Sequence, residues 1–139
     1  MRHLAQTNLW YLARYIIGND WLVERTHKPV CDHFVQKDPD KEWDKQDTVK
    51  KRLLLYPRGS LKSTLNFIDT MQWILCFPDI VIIILTAAND LATDFVEELK
   101  NYFLAEKDDD TGAWIRSTLF QALFPEFLAL KTQDQGTWR

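Results

Sequence analysis

The chain has 139 residues, of which 46% are hydrophobic and six are tryptophans, so it is long and apolar enough to form the core of one globular domain. Its formal net charge of -3 argues against a wholly basic protein that coats nucleic acid, and its two cysteines, Cys31 and Cys76, are too few and too far apart for a disulfide framework. No stretch reaches the roughly 18 apolar residues of a membrane span, and polar residues interrupt the N-terminus where a signal peptide would lie, so a soluble protein of the reducing cytoplasm is predicted.

Residues 1–37 are predicted to form a helical preface. Apolar residues recur at helical spacing from Leu4 to Ile17, and Gly18 follows as a C-terminal cap. A second helix is predicted to be capped by Thr26. The charged segment that follows, residues 38–49, is predicted to be an exposed and mobile connection.

Three potential metal ligands lie close together in the preface. They are His27, Cys31 and His33. A zinc site needs three or four ligands, and no fourth residue has a convincing spacing here. A structural role is therefore preferred for all three.

Residues 53–65, LLLYPRGSLKSTL, lead from an apolar strand through a turn with Gly59 into a helix. This order is typical of a phosphate-binding loop (Walker A), in which backbone N–H groups and a helix N-terminus surround the phosphates of ATP. Lys62 is spaced to hold the β and γ phosphates, and the Ser63 hydroxyl is spaced to ligate Mg²⁺. The predicted binding segment comprises Pro57, Arg58, Gly59, Ser60, Leu61, Lys62, Ser63 and Thr64.

The loop departs from the strict motif at two positions. Tyr56 and Leu61 stand where the motif has glycine. The alternative interpretation is a strand, a Pro-Gly turn and an amphipathic helix whose Lys62 is merely solvated. The apolar strand before the loop and the helix-forming run after it favour phosphate binding. The basic triplet at positions 50–52 is interpreted as the solvated start of the strand.

A second apolar strand is predicted after the loop helix. That helix is apolar over much of its circumference and is expected to end before Pro78. Residues 80–85, IVIIIL, form a continuous apolar run, which is typical of a strand covered on both faces of a parallel sheet. Residues 53–56 and 80–85 are therefore predicted to be parallel strands of one sheet, joined by a right-handed crossover.

Two more helices are predicted in the C-terminal part. Asn89 or Asp90 is expected to cap a strongly periodic helix over residues 91–103, and a last amphipathic helix is expected over residues 114–123. The acidic triplet 108–110 between them is interpreted as a solvated turn rather than a metal site.

The order of IIGND, THKPVCDHF, LLLYPRGSLKST and FPDIVIIILTAANDLATDFVEELKNYF resembles the start of the large subunit of tailed-phage terminases, over residues 9–127. The resemblance implies an α/β fold, the N-terminal part of a P-loop NTPase with a parallel sheet, of which residues 50–139 are an incomplete ATPase domain. A loop of the form Pro-Arg-Gly-x-x-Lys-Ser/Thr-Thr is a known variant in that family. By this resemblance Lys62 and Arg58 are catalytic, Arg58 senses or stabilises the γ phosphate, and the segment from His27 to Phe34 lies near the adenine.

The resemblance also implies a function, which is ATP hydrolysis coupled to the packaging of double-stranded DNA into a procapsid in the host cytoplasm. The implied partners are the DNA, a portal protein, a small terminase subunit and further copies in a ring, without a membrane. No strand here ends in the Asp-Glu pair that hydrolysis needs, and the family's nuclease carboxylates are missing, so we expect nucleotide binding without meaningful turnover. The alternatives are another P-loop ATPase, such as a helicase-like protein, and a non-enzymatic interaction module with a degenerate loop.

Overall fold

A computed structural model describes residues 1–46, 52–116 and 118–130 of the chain. The chain divides into two units, Met1–Thr86 and Ala87–Arg139, and each is described by itself. None of the described helices is long and apolar enough to cross a membrane.

The first unit begins with short helices. They are α1 (Arg2–Thr7), α2 (Leu9–Tyr11), a π-helical segment (Leu12–Ile16) and α3 (Glu24–His33). The single helix predicted from Leu4 to Ile17 is interrupted because Asn8 has an extended backbone, and its side chain accepts a hydrogen bond of 2.9 Å from the N–H of Tyr11. Gly18 follows with φ at +76°, a conformation that suits glycine. Thr26 lies inside α3 and does not cap it.

Helix α4, Lys62–Cys76, is the longest helix of the first unit. It ends two residues before Pro78, as its sequence predicts. Gln72 Nε2 donates to the carbonyl of Ala5 and Gln6 Nε2 donates to the carbonyl of Leu75, both at 2.9 Å, so polar groups at the contact with α1 are hydrogen-bonded. The buried apolar side chains of this unit are Ala5, Leu9, Trp10, Leu12, Ala13, Ile16, Leu22, Val30, Cys31, Leu65, Phe67, Ile68, Met71 and Leu75.

The two predicted parallel strands, residues 53–56 and 80–85, are not assigned as strands. Exposure alternates along both, and in the second Val81, Ile83 and Leu85 are 79% to 89% exposed. Among the described residues, no hydrogen bond involves the peptide groups of residues 53–55 or 81–85. A strand requires a neighbouring strand to bond with, and neither segment has one among the described residues.

The predicted connection over residues 38–49 is exposed in its middle, and at residue 46, where its described part ends, it is buried and hydrogen-bonded. Residues 40–45 are exposed and include a 3₁₀ turn, Trp43–Lys45. Gln46 is buried, accepts a hydrogen bond of 2.7 Å from the N–H of Asp38 and donates to the carbonyls of Asp38, Lys41 and Glu42. Residues 47–49, like Lys50 and Lys51 of the basic triplet, lie outside the described residues.

The second unit combines helices with a small sheet. Its elements are α5 (Asn89–Phe103), β1 (Leu104–Lys107), β2 (Trp114–Ile115), α6 (Leu119–Leu123), a 3₁₀ turn (Pro125–Phe127) and β3 (Ala129–Leu130). Strand β1 is central, antiparallel to β2 and parallel to β3. The helix predicted over residues 114–123 is thus a strand at its start and a helix only from Leu119. Buried Phe103, Phe120 and Phe124 form the aromatic core.

The predicted cap of α5 is wrong, whereas the predicted turn at residues 108–110 is present. Helix α5 begins at Asn89 after Ala88, without a side-chain cap, so neither Asn89 nor Asp90 caps it. The acidic turn is confirmed, because the Asp108 carboxylate accepts hydrogen bonds from the N–H groups of Asp110 and Thr111. These bonds also hold the pKa of Asp108 below its usual value.

Candidate functional site

The loop before α4 has an unusual backbone. Gly59 has φ at +77° and Leu61 has φ at +57°, and Leu61 is the only described non-glycine residue with positive φ. Leu61 also directly precedes α4, where no side chain caps the helix. The first N–H groups of the helix therefore lack a side-chain acceptor, and a left-handed residue next to a helix N-terminus helps to aim such groups at an anion.

Lys62 is the first residue of α4, which confirms its predicted place in the helix after the loop. Its Nζ donates to the carbonyl of Tyr56 at 2.8 Å and approaches that of Pro57 at 3.5 Å. No carboxylate among the described residues is paired with it. The ammonium is thus held by neutral oxygens that an anion can replace.

Tyr56 takes the first glycine position of the strict motif and has two contacts. Its carbonyl accepts from Lys62, and its hydroxyl donates to the carbonyl of Thr26 in α3 at 3.1 Å. The start of the loop is therefore hydrogen-bonded to α3. This contact gives the tyrosine a positioning role that a glycine could not have.

A cavity of about 280 Å³ opens beside the first turn of α4. Two of its lining residues are cationic, Arg52 and Lys62, and none carries a carboxylate. Apolar surface comes from Phe34 and Leu54. Further polar groups come from His33, Ser63 and Asn66. Such a mixture suits a ligand that has an anionic part and an apolar part.

The predicted site residues divide into three groups. Lys62 and Ser63 line the cavity, as the phosphate-loop prediction requires. Gly59, Ser60 and Leu61 shape the loop, in which the Ser60 hydroxyl donates to the carbonyl of Pro57 at 2.7 Å. Pro57, Arg58 and Thr64 do not line the cavity, and the exposed Arg58 side chain contacts no described partner.

The sequence interpretation missed two polar cavity residues, and the apolar Leu54 beside them. Arg52, interpreted as a solvated start of a strand, lines the cavity, and its guanidinium donates to the carbonyl of His33. Asn66 follows Lys62 by four residues and so lies on the same helix face, which the helical spacing could have shown. No comparable signal was present for Arg52, because its partner lies 19 residues away.

A buried ion pair lies against the same helix. Lys37 is 2% exposed, and its Nζ donates to the carboxylate of Asp69 in α4 and, at 3.0 Å, to the carbonyl of Val35. The ammonium also lies 4.8 Å from the ring centre of Trp73. Burial lowers the pKa of Lys37 and raises the pKa of Asp69, and their mutual attraction opposes both shifts. Asp69 thus has a structural role.

The three potential metal ligands of the preface have separate roles. His27 Nδ1 accepts a hydrogen bond of 2.8 Å from the N–H of Val23, Cys31 is buried, and His33 lines the cavity. The part of the chain that the structure describes contains no group of three His, Cys, Asp or Glu residues suited to a metal ion.

A larger cavity, of about 480 Å³, lies in the second unit. Its lining residues are Asn101, Tyr102, Leu104, Ala105, Glu106, Ile115, Thr118 and Gln121. Their one charged side chain is acidic, so this cavity repels phosphate. The smaller cavity beside α4 is the better candidate because it holds both cations and a helix N-terminus.

The residues at the start of α4 fit the phosphates of a nucleotide with Mg²⁺. The uncapped N–H groups suit phosphate oxygens, the Lys62 ammonium can exchange its carbonyl partners for them, and the Ser63 hydroxyl lies in the first helical turn, where a magnesium ligand is needed. No protein-family model, curated protein or solved structure matches this chain.

Proposed function

We propose that the chain binds ATP with Mg²⁺ at residues 57–64 and the adjoining cavity, as part of a DNA-packaging ATPase of the terminase large-subunit type. One observation carries the nucleotide part of the proposal. Helix α4 starts uncapped behind a left-handed residue, and its first side chain is a lysine without a carboxylate partner among the described residues. A helix N-terminus with a free cation is a site for phosphate.

Each group has a distinct task in this proposal. The N–H groups of the first turn donate hydrogen bonds to the phosphate oxygens, and the Lys62 ammonium moves from the carbonyl of Tyr56 to a phosphate oxygen. The Ser63 hydroxyl holds Mg²⁺, which neutralises the phosphate charge when bound. Phe34 and Leu54 offer apolar surface to the base, in keeping with the place that the terminase resemblance gives to the segment ending at Phe34.

The packaging part of the proposal is supported by the order of sequence segments that resembles terminase large subunits. In that role the partners are double-stranded DNA, a portal protein, a small terminase subunit and further copies of the chain. None of the described residues that line the cavity has a carboxylate to activate water, so the proposed activity of this chain is nucleotide binding. A P-loop ATPase of another type, such as a helicase-like protein, remains the alternative within enzymes.

An interaction module is the second candidate function, and one observation favours it. The apolar segment 80–85 exposes Val81, Ile83 and Leu85, and the peptide groups of residues 81–85 have no partner among the described residues. Such a segment is suited to pairing with another chain. ATP binding separates the two candidates, because a module with a degenerate loop has no affinity for the nucleotide.

Calorimetric titration with ATP and Mg²⁺ tests the proposed function. Lys62→Ala should weaken ATP binding roughly tenfold or more, because bound phosphate then lacks its cation. The matched control is Lys28→Ala, which removes an exposed lysine of α3 that is paired with Glu24 at 3.0 Å. The control should bind ATP like the wild type. Equal affinities of wild type and Lys62→Ala would show that the loop is not the site.

A further inference from the structure

Arg52 and Lys62 line the same cavity beside α4, and each donates a hydrogen bond to a main-chain carbonyl. Lys62 donates to the carbonyl of Tyr56, and Arg52 donates to the carbonyl of His33. Neither is paired with a carboxylate among the described residues. Two cations in the lining of one cavity, which includes no carboxylate, repel each other, and an anion between them removes that repulsion.

The contact of Arg52 with His33 leaves most of its hydrogen-bonding capacity unused. A guanidinium has five N–H donors, and the described contacts of Arg52 use one nitrogen, Nη1. The remaining donors are suited to a phosphate, which guanidinium groups bind in a bidentate manner. His33 is the last residue of α3, and the last carbonyls of a helix have no partner within the helix. The His33 carbonyl can therefore bind the Arg52 guanidinium and keep it at the wall of the cavity.

The cavity volume is compatible with such a ligand. About 280 Å³ corresponds to roughly nine water molecules at about 30 Å³ each, which is enough for a chain of phosphates. The Ser63 hydroxyl and the Asn66 carboxamide provide neutral hydrogen-bonding groups in the same lining.

We propose that Arg52 is a second phosphate-binding cation, which holds the polyphosphate chain of the ligand together with Lys62. This inference rests on the proposed function, since it assigns a further residue to the same site. It predicts that the cavity binds inorganic tripolyphosphate as well as ATP, because the cations recognise the phosphates and not the base.

The other explanation is that Arg52 only stabilises the end of α3. Arg52→Gln distinguishes phosphate binding from stabilisation of α3, because a glutamine amide can still donate to the carbonyl of His33 but carries no charge. We expect Arg52→Gln to weaken tripolyphosphate and ATP binding roughly tenfold, with a smaller difference at high salt, where charge interactions are screened. Arg52→Lys, which keeps the charge, should recover part of the affinity.

The matched control is Arg25→Gln, which removes the same charge from an exposed position of α3 outside the cavity. It should bind both ligands like the wild type. Circular dichroism and thermal unfolding of each variant establish that the affinities are compared between folded proteins.

The remaining outcomes are distinct. Wild-type affinity of Arg52→Gln for both ligands, with loss of binding in Lys62→Ala, would overturn the role of Arg52 and leave the proposed function standing. Equal weakening in Arg52→Lys and Arg52→Gln would also overturn it, because the charge would then be irrelevant. Tripolyphosphate binding that depends on Arg52, in a protein that does not bind ATP, would overturn the proposed function and keep the role of Arg52.

Discussion

Lys37 and Lys62 both contact helix α4, but their surroundings differ. Lys37 is 2% exposed, bonds to the Asp69 carboxylate and lies against Trp73. Lys62 is half-buried and lines a cavity, and its hydrogen-bond partners among the described residues are main-chain carbonyls. A buried lysine with an acidic partner holds parts of the fold together, whereas a lysine without one keeps its charge available to a ligand. Lys37 and Lys62 look alike in the sequence, and only their partners in the structure distinguish the two roles.

Substituting each lysine by methionine is the strongest test of this difference. Lys37→Met removes the cation from the buried Asp69 carboxylate, which keeps its hydrogen bond from the Trp73 side chain, and we expect the free energy of unfolding to fall by about 3–5 kcal/mol. Lys62→Met removes only bonds to carbonyls at the surface of a cavity, so its effect should stay within about 0.5 kcal/mol. Denaturant unfolding of both variants measures these values.

A double variant provides the control for the buried pair. Lys37→Met with Asp69→Leu replaces both charges by apolar groups, and it should recover most of the lost stability. Equal losses in the two single methionine variants would contradict the distinction between a structural and a ligand-binding lysine.

Cys31 is buried near the ion pair, and its thiol makes the stability of the fold depend on pH. Burial, and then the negative charges of Asp32 and Asp69, raise the pKa of Cys31 to about 12. Because the thiol ionises near pH 9 in the unfolded chain but stays protonated in the folded one, stability is lost as the pH rises above about 9. The loss should approach about 1.4 kcal/mol by pH 10.

Cys31→Ala isolates this thiol from the other groups that titrate at high pH. The variant and the wild type should both be unfolded by urea at pH 8 and at pH 10. We expect the wild type to lose more stability between the two pH values than the variant. The same loss in both would mean that the thiol is not shielded from water.

The smallest effect is expected at the open end of α4, where the backbone is strained. A leucine with φ at +57° carries a steric penalty that glycine does not. Leu61→Gly should therefore be more stable than Leu61→Ala by about 1 kcal/mol, since both lose the same apolar side chain and differ in the Cβ. Thermal unfolding of the two variants measures this difference, and ATP titration should show affinity equal to the wild type or slightly higher in Leu61→Gly. Greater stability of the alanine variant would contradict a left-handed Leu61.

Local patterns predicted the central helix and the position of the candidate site residues in it. The apolar periodicity and Pro78 set the extent of α4, and the motif spacing placed Lys62 and Ser63 in its first turn. These features depend on residues that are neighbours in the chain. For the same reason the turn at Asp108 was predictable from three adjacent acidic residues.

Contacts between distant residues were not predictable. Lys37 and Asp69 are 32 residues apart, and Arg52 and His33 are 19 apart. Charged residues look alike in sequence whether they are solvated or buried, so the buried role of Lys37 and the cavity position of Arg52 had no local signal. Hydrophobicity indicates that a segment tends to be buried but does not supply its partner, and the run at residues 80–85 has no neighbouring strand in the part of the chain that the structure describes.

That exposed run has a consequence for the behaviour of the protein at high concentration. Its six residues combine strong β propensity with the absence of charge, proline and glycine, the composition of segments that form amyloid-type steric zippers. Copies of the run could stack in register, because the peptide groups of residues 81–85 have no partner among the described residues and alternate side chains are exposed. Aggregation of this chain is therefore expected to start at Ile80–Leu85, and Asp79 is the adjacent charge that opposes it.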